Sequence, residues 1–375
     1  MAEEINVHLV QTVSCSSTCP DLPVLQLLPN LSLQTNVKVL RAVREGSAVT
    51  GVEIELTPST RQVIELKTGG AVILAAGAFL TPRLLFNSGI GPKAQIETVA
   101  SGTTHINLPP QNQWIPLPVG ESMRDHPIFT VNFNVSTGLK TLPQDDWLTP
   151  SQETIDLFAK GSGLLSQSGQ RLDFWTGVNS TDGIVRYVQG TVNAPSDNIV
   201  SMKVYLTHGL TSVGALDINH AGATTIITQP SMITDGDREA MLSFMTTLIE
   251  YASKFNSSLT LPVNTTAESL TQTFRSGSHF VGTAVMGEED DGSRVVDTDA
   301  RVWGTDNLYV VDASIHPKLP TGNTQAPVMV VGEHAVSKIL GVKPIKCKTK
   351  RSHMFRDRRE VLSRSYLHRK ASIHH

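Results

Sequence analysis

AAGAFLTPRLLFNSGIGP, residues Ala75 to Pro92, decides how this chain is read. An apolar strand, Ala71-Val72-Ile73-Leu74, runs into the small residues Ala75-Ala76-Gly77-Ala78. A helical pattern through Arg83-Leu84-Leu85-Phe86 follows, and then a glycine turn, Ser88-Gly89-Ile90-Gly91-Pro92. A strand that ends in small residues at a helix start lets a ligand approach the backbone, which suits a dinucleotide. Such sites also carry a G-x-G-x-x-G loop, and none stands in this sequence. The nearest string, Gly161-Ser162-Gly163-Leu164-Leu165-Ser166, lacks the last glycine and follows no predicted strand.

Outward from this stretch the pattern is mixed α/β with a large antiparallel sheet. Residues 30–68 predict a β-meander: 31–35, 37–43, a turn at Glu45-Gly46-Ser47, 49–55 and 61–66. Residues 103–118 are polar and proline-rich and predict a crossover. From 119 to about 275 strands alternate with loops, as in 129–135 and 200–206. Met241, Phe244, Met245, Leu248 and Tyr251 share one face of a predicted helix over 235–254, opened by Asp235 or Asp237. A second helix is predicted at about 324–340.

The chain has 375 residues, 39% of them hydrophobic, and a formal net charge of −3. It is long enough for a proper core, and its charge gives no reason to expect nucleic acid as a partner. No run of 18 apolar residues exists, so no membrane span is predicted. The start, MAEEINVHLVQTVSCSSTCP, is acidic and does not read as a signal peptide. Cys15 and Cys19 could pair or stay free, and Cys347 lies in a basic tail with ten Lys/Arg between Lys346 and His375. No Cys/His spacing suggests a metal. Five N-x-S/T sequons, at Asn30, Asn134, Asn179, Asn256 and Asn264, lean toward a secreted origin.

Two further stretches carry chemistry. In Ser276-Gly277-Ser278-His279-Phe280-Val281-Gly282-Thr283 a histidine sits among small residues that leave its ring accessible. Histidine suits general-base work near neutral pH, although one in an apolar strand is more often structural. In the other, the strand Leu308-Tyr309-Val310-Val311 ends in Asp312-Ala313-Ser314, followed by Leu319-Pro320-Thr321-Gly322-Asn323-Thr324-Gln325 and an apolar helix. This repeats the strand, small-residue loop and helix start of the opening stretch.

Together these motifs resemble the glucose–methanol–choline (GMC) oxidoreductases. G-A-x-x-T-P-x-x-L-x-x-S-G-I-G-P from Gly77 is similar to a family signature. Val119-Gly120-Glu121-Ser122-Met123-Arg124-Asp125-His126-Pro127 resembles its VGENLQDHP element, and H-x-x-G-T-x-x-M-G from His279 resembles the segment of its catalytic histidine. Asp312-Ala313-Ser314 and Asn323 fall on its C-terminal motif, and the likeness runs from about Asn30 to Leu340. Within the family it runs nearest to the flavin domain of fungal cellobiose dehydrogenases, through Leu172-Asp173-Phe174-Trp175, 182–190 and Leu319 to Asn323.

The resemblance implies FAD as cofactor and an incomplete FAD-binding Rossmann-like domain (28–118 and 295–341). A substrate domain with a large antiparallel sheet would occupy 119–294, between an atypical segment 1–27 and a basic tail 342–375. It implies oxidation of a sugar or other alcohol by hydride transfer to flavin N5, with His279 as base and Asn323 holding the same oxygen. Val39, Ala78, Asp312, Ala313, Thr324 and Gln325 would contact the cofactor. Ser278 stands where the family has asparagine, and Ser278 and Arg186 are candidate substrate contacts; for Arg186 a surface role competes. His126 would lie near the flavin in a structural role. The electron acceptor would be oxygen, a quinone or a haem domain, and the family habit is extracellular. The absent glycine loop implies that the chain matches the C-terminal three-fifths of such a domain. Weak flavin binding and uncovered apolar faces on 71–90 and 302–311 would follow. The alternative is an inactive remnant that at most binds sugar.

Overall fold

The structure is a computed structural model that describes residues 7–10, 31–57, 60–141, 144–166, 170–254 and 258–341. The three cysteines, most of the segment 1–27 and the basic tail lie outside the described residues. The described residues up to Val336 pack as one compact unit.

In chain order the first strands are β1 (Val7–Val10), β2 (Leu31–Gln34), β3 (Lys38–Glu45), β4 (Ala48–Thr57), β5 (Thr60–Glu65) and β6 (Val72–Leu74). Helices α1 (Gly77–Asn87) and α2 (Lys93–Ala100) follow. Only part of the predicted meander forms: β3, β4 and β5 make an antiparallel sheet, whereas β2 pairs in parallel with β1. The period-two pattern identified β2 as a strand but held no information about its partner.

The opening stretch folds as read. Strand β6 leads into α1, and Pro82 sits inside that helix. Proline has no N–H, so the carbonyl four residues earlier, Ala78, loses its helical partner. The Thr283 hydroxyl donates to that carbonyl at 2.8 Å. A helix defect is thus satisfied by the segment that carries His279. At the far end Gly91 has φ +144°, and a Cβ there would lie 2.6 Å from the Phe86 ring. Leu85, Phe86 and Ile90 have no exposed surface, and each buried side chain of this size contributes about 1.5–3 kcal/mol.

The second half holds β7 (Pro127–Val135), helices α3 (Gln144–Leu148) and α4 (Gln152–Ala159), β8 (Leu172–Asn179), β9 (Val185–Ser196) and β10 (Ile199–His208). A hairpin of β11 (Ala215–Ile218) and β12 (Thr224–Thr228) precedes α5 (Asp235–Lys254). Then come β13 (Leu259–Thr260), α6 (Ala267–Thr271), β14 (Arg275–Ser276), β15 (Leu308–Val310) and α7 (Gln325–Ile339). The large sheet runs β13-β7-β10-β9-β8, with β14 also on β7, and is antiparallel throughout. Both long predicted helices are present, with α5 at its predicted bounds; α3 and α4 lie where strands and loops were expected.

The large sheet has two distinct faces, because successive strand side chains alternate. Val188, Val204, Leu206, Phe129 and Val131 point to one side and pack with Met241 and Met245 of α5. Directly opposed residues share a face, so Trp175, Gln189 and Tyr205 form a row on the other side. Strand β15 pairs in parallel with β6, and Val72, Leu74, Leu308 and Val310 are buried. The expectation of uncovered apolar faces holds in part: Val72, Leu74, Leu308 and Val310 face the core with Leu84 and Leu85 of α1, whereas Ile73 on the other face is 45% exposed.

Candidate active site

His279 stands in an irregular segment rather than the expected strand. Strand β14 pairs with the start of β7, Gly277 N–H donates to the His126 carbonyl at 2.8 Å, and Arg124 and Val281 exchange bonds of 3.0 Å in each direction. This ladder lays residues 276–281 along 124–127 and sets His279 beside His126. Ser278 takes φ +56°, a left-handed conformation that serine adopts less readily than asparagine. Its N–H donates to Ser276 Oγ at 3.0 Å, and its side chain is exposed. Gly282 has φ +82°, and a Cβ there would meet the Ser122 carbonyl at 2.4 Å.

The histidine pair is close: His126 Nδ1 and His279 Nδ1 are 3.0 Å apart. His126 Nε2 lies 3.1 Å from the Thr207 carbonyl. Burial, with the neighbouring His279 adding to it, pushes the His126 pKa down to about 4, against the opposing carbonyls of Thr207 and Pro320. Burial also lowers His279, which Asp125 partly offsets. The fully buried Asp125 accepts from His279 N–H at 2.8 Å and from Ser276 Oγ at 2.5 Å; its burial raises its own pKa. The Tyr205 ring stacks over His279 with centroids 6.2 Å apart.

Folding stability is expected to fall with pH between about 6.5 and 4. In that window unfolded His126 binds a proton and folded His126 does not, so protonation favours the unfolded chain. A displacement of that size corresponds to roughly 3 kcal/mol. The depressed His279 and His316 act in the same direction. Urea midpoints at pH 7 and pH 4.5 check this; equal midpoints would contradict it.

Beside α1, Ala78, Asp312 and Ala313 of the predicted cofactor residues converge. Asp312 accepts from Gly77 N–H at 2.8 Å, Thr81 Oγ1 at 2.5 Å, Ser314 N–H at 2.7 Å and Ser314 Oγ at 2.5 Å. Those four bonds fill the carboxylate, so its side chain ties the ends of β6 and β15 together rather than reaching a ligand. Gly282 N–H meets the Ala313 carbonyl at 3.3 Å, and Phe79 packs edge-on to Phe280 at 4.6 Å. Ala78, Asp312, Ala313 and the His279 segment therefore form one cluster. Val39 lies on the other side of α1, in a cavity of about 290 Å³ that Ala76, Leu80 and Arg83 also line. Arg83 Nε is buried there with no protein partner, as is His316 Nε2 beyond Ala313. The buried guanidinium nitrogen of Arg83, without a protein partner in that cavity, suits a polar, anionic cofactor such as FAD.

Asn323 and Gln325 are exposed and Thr324 half-buried, at the start of α7. No hydrogen bond joins the Asn323 and His279 side chains. The loop before Asn323 reaches the histidines: the Pro320 carbonyl lies against His126, and Thr321 Oγ1 is 3.2 Å from His208 Nδ1. Arg186 is corrected. It has no exposed surface, lies on the helix-facing side of the sheet, and binds Asp237 through Nε at 2.7 Å and Asp182 through NH1 and NH2 at 2.9 and 2.8 Å. It is neither a substrate contact nor a surface residue. Among the described residues no cluster of His, Cys, Asp and Glu could hold a metal, and no helix is long and apolar enough to cross a membrane.

Profiles of the GMC oxidoreductase family match this chain over residues 23–128 for the N-terminal part and 211–332 for the C-terminal part. The chain belongs to the GMC oxidoreductase family. Its relatives include the 5-(hydroxymethyl)furfural oxidase of Methylovorus sp. strain MP688, 29% identical over 327 residues, with 83% of this chain and 58% of the relative covered. Dehydrogenase eriK of Hericium erinaceus is 28% identical, covering 83% and 57%. Among solved structures, pyridoxine 4-oxidase from Mesorbium loti superposes with a TM-score of 0.62 at 22% identity, covering 84% of this chain and 59% of that one. A fungal aryl-alcohol oxidase gives 0.64 at 20%, covering 84% and 62%. The GMC fold is thus shared, and the chain spans about three-fifths of the length of the relatives it matches.

Proposed function

We propose that this chain contributes the catalytic face of an FAD-dependent oxidation of an alcohol. The observation that carries the reading is a partly accessible histidine, held neutral by burial, beside a strand-to-helix turn that suits a dinucleotide. FAD, when bound, supplies the hydride acceptor. His279 takes the hydroxyl proton, which makes the neighbouring C–H a better hydride donor. Asn323 offers an amide to the same oxygen. Ala78, Asp312 and Ala313 would hold the cofactor through their main chains, Val39 through the cavity it lines, and Thr324 and Gln325 through the start of α7. As His279 gains positive charge, Asp125 stabilises it.

The finer reading is a sugar substrate, as in cellobiose dehydrogenases. It is supported by the outward sheet face. Trp175 is 62% exposed and stacks on Tyr187 at 5.0 Å, and its row continues through Gln189 to Tyr205 above His279. Flat aromatic faces beside amide groups suit a pyranose ring with its apolar faces and hydroxyl rim. Gln189 also borders Gly322, next to Asn323.

The test is anaerobic titration of the FAD-supplemented chain with cellobiose, glucose and benzyl alcohol, followed by flavin absorbance. Bleaching by any of them supports the oxidation; bound flavin that none of them reduces would overturn it. With cellobiose, Trp175→Ala is expected to raise KM about tenfold with kcat little changed, the mark of a contact made equally in ground and transition states. An unchanged KM for cellobiose would count against the sugar reading. Sugar binding without bleaching would favour a binding module.

A further inference from the structure

His126 and His279 are 153 positions apart in the chain and share one hydrogen between their Nδ1 atoms, 3.0 Å apart. Which ring owns it follows from His126's other contact. A carbonyl oxygen can only accept, so His126 Nε2, 3.1 Å from the Thr207 carbonyl, must carry a hydrogen. His126 has no exposed surface and stays neutral far below pH 6.5. A neutral imidazole carries one hydrogen, so its Nδ1 is a bare acceptor. The hydrogen between the rings therefore belongs to His279.

We infer that His126 is a positioning residue, which fixes His279 as the Nδ1–H tautomer and so leaves Nε2 bare and directed away from His126 to accept the substrate's proton. The same bond persists after transfer, because an imidazolium donates from both nitrogens. The rings are held nearly perpendicular, at 85°, and Tyr205 stacks on His279 at 20°, so the orientation of Nε2 is set as well as its protonation. The other groups around the pair are Asp125 at the His279 main chain and the carbonyls of Thr207 and Pro320 at His126. None of them offers His279 Nδ1 another acceptor.

This assignment rests on His279 as the base, but its first test does not. In chain labelled with ¹⁵N at histidine, the two ring nitrogens of neutral His279 (assigned by loss of its signals in His279→Gln) should report Nδ1 protonated and Nε2 bare. The reverse pattern in the wild-type chain would overturn the inference, whatever the activity. His126→Leu should give a mixture of tautomers and lower the rate of flavin reduction at least about tenfold with KM little changed. His126→Asn, whose Oδ1 takes the place of Nδ1, should restore the single tautomer and most of the rate. A single Nδ1–H tautomer and wild-type rate in His126→Leu would overturn the positioning role. If His126→Leu fails to fold, the wild-type and His126→Asn spectra still decide it.

Discussion

Replacing His279 with alanine is expected to slow flavin reduction by about 10²–10⁴, the worth of a positioned base. The loss should appear in kcat, since the substrate hydroxyl gains from the base as its proton leaves. The variant should also lose the acidic limb of the wild-type pH profile. That limb reflects protonation of His279, which burial places below pH 6.5. His279 makes no side-chain bond that holds the fold apart from the one to His126, so the variant should unfold at nearly the wild-type urea concentration. Added imidazole should recover part of the rate, because the vacated space is bounded by the Tyr205 ring and the His126 acceptor. Stopped-flow measurement of flavin bleaching checks the rate, its pH profile and the imidazole recovery, and urea unfolding checks the stability. A rate within a few fold of wild type would remove His279 from the role of base.

The largest effect on stability is expected at Asp237, in the first turn of α5. This carboxylate has no exposed surface. It accepts from Arg186 Nε, Thr211 N–H, Ser212 N–H at 2.9 Å and Ser212 Oγ at 2.6 Å. These donors and Arg186 hold its pKa below the usual range despite burial, which alone would raise it. Asp237→Ala leaves Arg186 Nε and the Thr211 and Ser212 main-chain donors buried without a partner, although Asp182 still pairs the guanidinium, and should cost about 3–5 kcal/mol. Arg186→Met should cost less, because Asp237 keeps its neutral donors and Asp182, 35% exposed, turns to solvent. Neither change should alter kcat in chain that remains folded, since both groups lie behind the sheet. Urea unfolding of the two single variants and the double variant measures the coupling; a small cost for Asp237→Ala would contradict the assignment.

Much of this was legible in the sequence because local pattern determines it. The spacing of Met241, Phe244, Met245 and Leu248 marks α5, and the small residues around Ala76 mark the start of α1. Family likeness placed His279 and Asp312 at the site. Pattern could not say that β2 pairs with β1, since pairing is a tertiary choice. Nor could it assign Arg186, whose role depends on which face of β9 the helix covers. The bond between His126 and His279 joins two segments far apart in the chain, and neither segment announces the other. The DHP string did mark its histidine as worth placing. Trp175 belongs to a motif legible in the sequence, whereas the row it shares with Gln189 and Tyr205 depends on the strand register.

The two-faced sheet has a consequence for how such a protein can diversify. In the middle of β9 and β10, even-numbered positions such as 188, 204 and 206 hold the scaffold, and odd-numbered ones such as 187, 189 and 205 line the opposite face, the one proposed to meet the substrate. Selection acting on alternate codons can thus redraw the substrate surface while the packing behind it stays untouched. A combinatorial library confined to 175, 187 and 189 should retain nearly all folded members and spread widely in substrate preference, whereas one at 188, 204 and 206 should mostly yield chains that do not fold.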